Sequence, residues 1–551
     1  MNKKQYELTI SGMTCKGCET TVARLLAEAG VEDSTVSFSS GKAWITIHPQ
    51  KLPMTQVVAK INASKTYHVE HWQELKETNV PQPSKPVRKI LIIGGGSAAF
   101  AAAIRAAELG VAVTMINDGL PIGGTCVNVG CIPSKTLLSA AARWHSCHVE
   151  AFQGIHCKPG KLTFQEVIQQ KDKLVSSLRR QKYLDVLKQY PNIQFIEGRA
   201  RLVGAQTVAV GKQRFAGDRI IIATGASPWI PDIPGIREVP YLTSTTALEL
   251  PRVPESLIVI GGRFIALELA QMFRRFGSQV TILQRSARIL PHLPSRVGSE
   301  LTRILEDEGI TIHTGVQLHQ IQGDERQVIV KFEQNRTIKT LQAQKILVAT
   351  GRHPNTENLG LEALGIKRNA NGGLWVNDYL QTNVPGIFAA GDVLGEHMLV
   401  YTAAYEGKLA AENAIRGLHI SRDYTALPWV LFTDPQVAGV GLDENTAQAK
   451  GIPAESVTLP LSEVPRALAD RSTRGFIQLV RNSQNDKIIG GIIMAPTGGE
   501  VIMEIALAIR LGITSKQLTE FFHPYLTLAE GIKLSSLAFR KDIRRLSCCA
   551  T

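Results

Sequence analysis

Hydrophobic and polar positions change period several times along this chain. Between residues 6 and 71, short alternating stretches at 6–10, 35–38, 43–47 and 68–71 enclose two stretches with helical spacing, 20–29 and 54–63. Strand, helix, strand, strand, helix, strand is the order of a small ferredoxin-like βαββαβ module. Polar residues with Pro81, Pro83 and Pro86 follow, the composition of an extended tether. A continuous apolar run at 89–93 then reads as a strand buried on both faces; it leads through Gly94–Gly96 into an apolar helix to 109 and a strand at 111–116. The pattern recurs from 256: strand, Gly261-Gly262, helix, and a strand at 279–283. Beyond about 421, strand-like runs at 475–480 and 488–494 precede a helix at 500–510. The expected fold class is α/β, with two Rossmann-like dinucleotide-binding domains, an α+β domain after them and the ferredoxin-like module in front. The expected boundaries are 1–75 for the module, 76–88 for the tether, 89–250 and 345–420 for the first dinucleotide domain, 251–344 for the second, 421–537 for the α+β domain and 538–551 for a tail.

The glycine loops carry chemistry. Gly94 and Gly96 let backbone approach a pyrophosphate at a helix N-terminus, while Ala99 keeps that helix close to its strand. The strand at 111–116 ends in Asn117-Asp118, either of which can meet a ribose hydroxyl. In the second loop an arginine, Arg263, stands where a second glycine is usual, and its guanidinium can itself meet phosphate. The following strand ends in Gln284-Arg285, with Arg288 beyond, where an acidic residue would select NADH. NADPH is the expected nucleotide, bound by Gly261, Arg285 and Arg288.

Two pairs of cysteines interrupt this frame. Gly123-Gly124-Thr125-Cys126-Val127-Asn128-Val129-Gly130-Cys131 places two thiols five positions apart, too far round a regular helix to share a face, so the segment is expected to start in a loop and enter a helix within its first turn. A thiolate near a helix N-terminus has a lowered pKa, which describes a redox dithiol; two ordinary buried thiols are the alternative. Cys15 and Cys18, in Gly12-Met13-Thr14-Cys15-Lys16-Gly17-Cys18, have the spacing for a soft ion held by two thiolates, with a thioredoxin-like pair as the competing reading. Adjacent Cys548 and Cys549 near the end of the chain suit stepwise ligand exchange on such an ion. Cys147 and Cys157 have no partner pattern.

Clustering of the eight cysteines argues for chemistry in a reducing compartment, and a cytoplasmic protein is expected. The start lacks an apolar signal region, and no run of about eighteen uncharged apolar residues occurs, so no membrane insertion is expected. A formal charge of +13 is spread out and not interleaved with aromatics, which argues against nucleic acid. The excess suits attraction of an anionic nucleotide.

From Arg88 onward the chain resembles the flavoprotein disulfide reductases, on the segment from Gly123 to Lys135, the two glycine loops and the stretches 220–228, 345–354 and 387–393. The loop at Cys15 and Cys18 resembles heavy-metal-associated domains. The resemblance implies FAD, with Cys126 exchanging with substrate and Cys131 against the flavin. It also implies Lys135 paired with Glu268, and cofactor contacts from Gly119, Gly124, Thr125, Ala200, Gly225, Asp392 and Val400. The α+β domain would be a dimerisation domain and the protein a homodimer with active sites at the subunit interface. Within the family, Tyr183, Tyr525 and the Cys548-Cys549 tail resemble the mercury-reducing members, which implies thiol-bound Hg(II) as substrate, Cys126, Cys131, Cys548 and Cys549 as its ligands, and delivery by upstream mercury-carrying proteins. Relatives that reduce organic disulfides hold a histidine with a glutamate five residues later. Here His523 is followed by Leu528, so its charge is expected to be poorly controlled and organic disulfide reduction slow. The alternatives are a general disulfide reductase and a metal-trafficking protein.

Overall fold

The computed structural model describes residues 4–13, 16–31, 33–38, 41–64, 66–74, 87–149, 151–157 and 160–543. It divides into two compact units, 1–86 and 87–551. Cys15, Cys548 and Cys549 lie outside the described residues.

In the first unit, strands Lys4–Ser11, Asp33–Ser37, Lys42–Ile47 and His68–Glu74 and helices Lys16–Glu28 and Met54–Asn62 follow the order read from the hydrophobic pattern. The four strands form one antiparallel sheet in spatial order second, third, first, fourth. Alternation along Lys42–Ile47 puts Ala43, Ile45 and Ile47 inside, against Val22 and Leu26 of one helix and Val57 and Ile61 of the other. Cys18, in the first turn of the first helix, is buried in that core.

The second unit contains parallel sheets of five and four strands and an antiparallel one of five, beside smaller sheets. Lys89–Ile93 lies between Arg219–Ile222 and Ala112–Asn117 in a five-stranded sheet edged by Ile387–Ala389 and Ile193–Glu197, so the last strand returns from far along the chain. Ile90, Leu91 and Ile92 are fully buried, as a strand covered on both faces requires. Helices Ser97–Glu108 and Val400–Arg416 cross closely on this sheet. A Cβ on Gly407 would sit 2.1 Å from the Ala98 carbonyl oxygen, so only glycine permits the approach. The second parallel sheet runs Thr311–Thr314, Gln279–Gln284, Ser256–Ile260, Lys345–Val348. Pro428–Leu431, Gln436–Gly441, Ile488–Ala495, Phe476–Asn482 and Ala454–Pro460 make the antiparallel sheet, with helix Gly498–Leu511 beside it.

The thiol segment enters helix as its spacing predicts, but in two pieces. Cys126 is helical: Gly124–Val129 forms a short helix, Gly130 breaks it at φ −125° and ψ −109°, and Cys131 starts the longer helix Cys131–Ser146. The entry is tight because Gly123 and Gly124 both adopt positive φ, and a Cβ on Gly124 would lie 2.6 Å from Gly96 Cα. The break at Gly130 thus turns two residues on opposite helical faces into neighbours. Leu137 and Ala141 of the long helix join a core with Phe164, Leu267, Phe273, Leu431 and Met494, which locks the thiol segment onto all the surrounding elements. Full burial of a side chain such as Phe273 is worth about 2–3 kcal/mol.

Candidate active site

Two cavities meet at the carboxyl ends of the first parallel sheet. One, of about 940 Å³, is lined by Gly94, Gly96, Asn117, Asp118, Gly119, Gly124, Thr125, Ala200 and Gly225. The other, of about 600 Å³, is lined by Cys126, Cys131, Lys135, Glu268, Asp392 and Val400. Gly96, Thr125, Ala223 and Gly225 border both, so they form one continuous track. Ala99 lies behind the wall, fully buried under the first helix. The helix Ser97–Glu108 begins at Gly96 with no side-chain cap, leaving its first N–H groups to a ligand in the larger cavity. A dinucleotide-sized track with uncapped amides at its middle fits FAD.

Cys126 and Cys131 are free thiols, each partly buried. The hydrogen bond between them sorts their charges: Cys131, accepting from Cys126 and facing the Lys135 cation, is drawn from 9.0 down to about 7 against the opposing effect of burial. Cys126, which gives that bond and is also buried, is pushed upward. Near neutral pH the pair therefore begins to ionise as one thiol and one thiolate, with the charge on Cys131.

Lys135 Nζ lies 2.6 Å from Glu268 Oε2 and 4.5 Å above the centre of the Phe432 ring. Glu268, 6% exposed, also accepts from the Phe432 backbone N–H at 2.9 Å. Gln271, one helical turn on, exchanges hydrogen bonds with the Asp434 backbone, and Arg275 reaches the Asp434 carboxylate at 2.9 Å. Helix Phe264–Phe276 thereby fixes segment 432–434 against the lysine.

Tyr183 sits in a π-helical turn, Arg180–Leu184, edge-on to Phe100 at 4.9 Å and within 3.3 Å of where a Gly123 side chain would begin. Burial, and then the neighbouring Cys126, raise its pKa, so the hydroxyl keeps its proton. Asp392 and Arg352 face each other at 3.9 Å; burial raises the acid and lowers the base. Arg352 also donates to Thr125 Oγ1 and to the Ala226 carbonyl. Nothing in the sequence singles out Arg352 within the stretch 345–354, or Tyr401, whose hydroxyl donates to Pro428 O and is pushed up to about 12 by burial and the Cys131 charge.

The second dinucleotide loop leads straight into Phe264 and Ile265, which line the smaller cavity. Gly261 has φ +123°, and a Cβ there would meet Ala349 O at 2.4 Å. Arg263 has φ −110°, extended backbone that any residue adopts, so the missing glycine costs no strain. Burial and the nearby Arg285 lower its pKa, the mark of two cations sharing a space. One Arg288 nitrogen donates to Pro291 O and Leu293 O, shaping the loop.

Tyr525 is 49% exposed and does not line either cavity. The expectation for His523 is corrected: although position 528 is leucine, His523 Nε2 lies 2.7 Å from Glu504 Oε1, on the helix Gly498–Leu511. That bond raises the imidazole pKa and Phe521 O meets Nδ1 at 3.1 Å, so its orientation and charge are set. The carboxylate comes from a different element, which spacing from His523 cannot reveal. Among the described residues, no group of three or more His, Cys, Asp or Glu is placed to hold a metal ion, and no helix is long and apolar enough to cross a membrane.

Residues 88–407 match the pyridine nucleotide-disulphide oxidoreductase family, 427–536 its dimerisation domain and 7–68 the heavy-metal-associated domain. The chain is 40% identical over 550 residues to a mercuric reductase of Staphylococcus aureus and 41% identical over 553 residues to one of Lysinibacillus sphaericus, covering 100% of each chain in both cases. Among solved structures, the HOCl-induced flavoprotein disulfide reductase RclA from Escherichia coli superposes with a TM-score of 0.73 at 29% identity, over 82% of this chain and 100% of that one. LpdA from Mycobacterium tuberculosis gives 0.73 at 26% identity, over 83% and 100%. With a sorted thiol pair beside a dinucleotide track and this similarity from end to end, the chain belongs to the mercuric reductases, within the pyridine nucleotide-disulphide oxidoreductases.

Proposed function

We propose that this protein reduces thiol-bound Hg(II) to Hg(0) with electrons from NADPH, acting as a homodimer. The single observation that carries the reading is the Cys126–Cys131 pair, close enough for one thiol to donate to the other, beside Lys135 and Glu268. Bound FAD supplies a two-electron relay between the nucleotide and the cysteines. Asp392, Thr125 and Val400 would hold it on the smaller cavity, and Gly94, Gly96, Gly119, Ala200 and Gly225 on the larger. Gly261, Arg263, Arg285 and Arg288 would receive NADPH.

Cys131 ionises near neutral pH because Cys126 donates to it and Lys135 faces it. Cys126, still protonated, loses its proton when a soft cation approaches, since metal binding needs the thiolate. Together they offer two sulfur ligands to Hg(II), and Tyr183 lies beside Cys126 with its hydroxyl protonated. Each turnover moves two electrons: one NADPH becomes NADP⁺ and H⁺, and Hg(II) becomes Hg(0), which no longer holds thiolates and leaves.

Capture is assigned to Cys15 and Cys18, and to Cys548 and Cys549 acting on the other subunit's site with Tyr525, in the cytoplasm, with upstream mercury carriers as donors. The test is anaerobic NADPH consumption with excess thiol, in the native protein and in Cys548→Ala/Cys549→Ala. Mercury vapour should evolve from the native protein, and the double variant should be slower at limiting thiol-bound Hg(II). Equal rates would remove the tail from the account.

The His523–Glu504 pair favours a second reading, reduction of an organic disulfide, because a controlled imidazole can protonate a leaving thiolate. Glutathione disulfide and lipoamide in the same assay separate the two: rapid turnover without metal supports the second.

A further inference from the structure

Behind the cavity wall lies a buried acid that the scheme above leaves unused. Glu406, 2% exposed, sits on helix Val400–Arg416, whose first residues line the smaller cavity. Both of its oxygens are engaged: the Gly391 N–H donates to Oε2 at 2.6 Å, and the Tyr424 hydroxyl donates to Oε1 at 2.5 Å. Gly391 is the residue before Asp392. It has φ +81° and is wedged so tightly that a Cβ there would lie 3.0 Å from Ala98 Cβ and 3.3 Å from Ala403 Cβ. Downstream, the turn is closed by Leu394 N–H on Gly391 O at 2.9 Å and Gly395 N–H on Asp392 O at 3.0 Å. Upstream, the Glu406 bond holds the Gly391 amide, so the carboxylate anchors the turn that presents Asp392 to the cavity.

The surroundings leave its proton finely balanced. Burial drives Glu406 up to about 7, while Tyr424, the Gly391 amide and Arg422 work to keep it ionised and Glu396 opposes them. Arg422 is held by Glu396 at 2.8 Å. The Tyr424 ring packs on His397 at 4.5 Å and on Tyr405 at 6.2 Å, and burial raises its hydroxyl further above the ordinary range. On the cavity side of the turn stand Asp392 and Arg352. The helix Ser97–Glu108 presents the Ala98 methyl and backbone here; its charged Arg105 is bound to Glu412 at 2.8 Å.

We propose that Glu406 is a positioning residue: through the Gly391 amide it sets Asp392 against the bound flavin, and its own proton occupancy ties the flavin's potential to pH. The inference rests on the FAD reading. A hydride brings two electrons and one proton, leaving NADP⁺ behind and one more negative charge in the cavity. Glu406 takes one proton from solvent as that charge arrives and returns it as the two electrons pass to the Cys126–Cys131 disulfide, which becomes one thiol and one thiolate. The linkage is reciprocal: protonating Glu406 favours the reduced cofactor.

The experiment is a dye-referenced reductive titration of the FAD-bound protein, without Hg(II), across pH values either side of 7. With Cys126→Ser/Cys131→Ser, where the two electrons stay on the cofactor, the FAD-bound protein should take up a fraction of a proton more per two electrons near neutral pH than free FAD does. Glu406→Gln keeps both hydrogen bonds, since its amide oxygen accepts from Gly391 and its NH₂ donates to the Tyr424 oxygen, but it cannot titrate; the extra proton should vanish while FAD stays bound. Tyr424→Phe removes a donor to the carboxylate and should move the break in the pH profile upward. Glu406→Ala should weaken FAD retention about tenfold or more, the loss of a buried charge-assisted hydrogen bond. An unchanged pH profile in Glu406→Gln, or an unmoved break in Tyr424→Phe, overturns the proposal. Should the native protein fail to retain FAD, the functional reading fails first, and the two failures are thus distinguishable.

Discussion

Replacing Lys135 with methionine keeps the aliphatic stem and deletes the cation that Cys131 and Glu268 share. In the folded chain the Cys126 hydrogen bond, and after it the Lys135 charge, lower Cys131 from 9.0 to about 7 despite burial. A depression of that size corresponds to about 2.7 kcal/mol, at about 1.36 kcal/mol per pH unit. Without the cation, Glu268 loses the partner at 2.6 Å and confronts the thiolate as a like charge in a site where its own side chain is 7% exposed. The Cys126 bond alone then opposes burial and Glu268 together. The expected result is a rise of about one unit or more in the Cys131 pKa, so about fivefold less thiolate or lower still at neutral pH. The assay is the rate of iodoacetamide alkylation of the reduced protein against pH, with the modified residue identified by mass. Lys135→Met/Glu268→Gln should recover part of the shift, because the buried like charge leaves with the carboxylate. Linkage gives an independent check. A folded pKa below the ordinary 9.0 adds stability that is present at 9.0 and lost as pH falls through about 7, so the reduced native protein should gain stability across that window and Lys135→Met should gain less. Identical alkylation midpoints in native protein and Lys135→Met would refute the reasoning.

Arg263→Gly should weaken NADPH binding about tenfold or more in a fluorescence titration and NADH binding less, the loss of a charge-assisted contact to the extra phosphate; equal losses would place Arg263 on the shared pyrophosphate instead. Glu504→Gln should lower the His523 pKa toward 6.5, read by NMR titration. Since the native value is raised, the pair's contribution to stability is fully present below 6.5 and lost as pH rises through the folded value, and the variant should lose that dependence; an unmoved histidine would sink the point. Gly407→Ala should cost about 1–3 kcal/mol in denaturant unfolding, because its Cβ falls 2.1 Å from the Ala98 carbonyl, whereas Gly160→Ala, with open space around it, should be neutral. Comparable stability of the two variants would mean the helix crossing is slacker than described.

Elements whose pattern is local and repetitive are legible in the residues alone. The βαββαβ order, the buried strand Lys89–Ile93, the glycine loops and the dithiol could be read because strand and helix periods, left-handed turns and cysteine spacing each need particular residues at particular offsets. Features that depend on distant segments meeting appear only in the folded chain. Spacing asked only for a loop leading into a helix, whereas the Gly124–Gly96 contact and the break at Gly130 give Cys126 a helix of its own. Leu528 implied an uncontrolled His523, and Glu504, on a separate helix, supplies the carboxylate. Glu406 carried no signal at all, being one glutamate in an amphipathic helix until the Gly391 turn and Tyr424 closed around it. The physical reason is the same in each case: periodicity records which face of an element is buried, but a side chain's charge and hydrogen bonds are set by whichever residues the fold brings beside it.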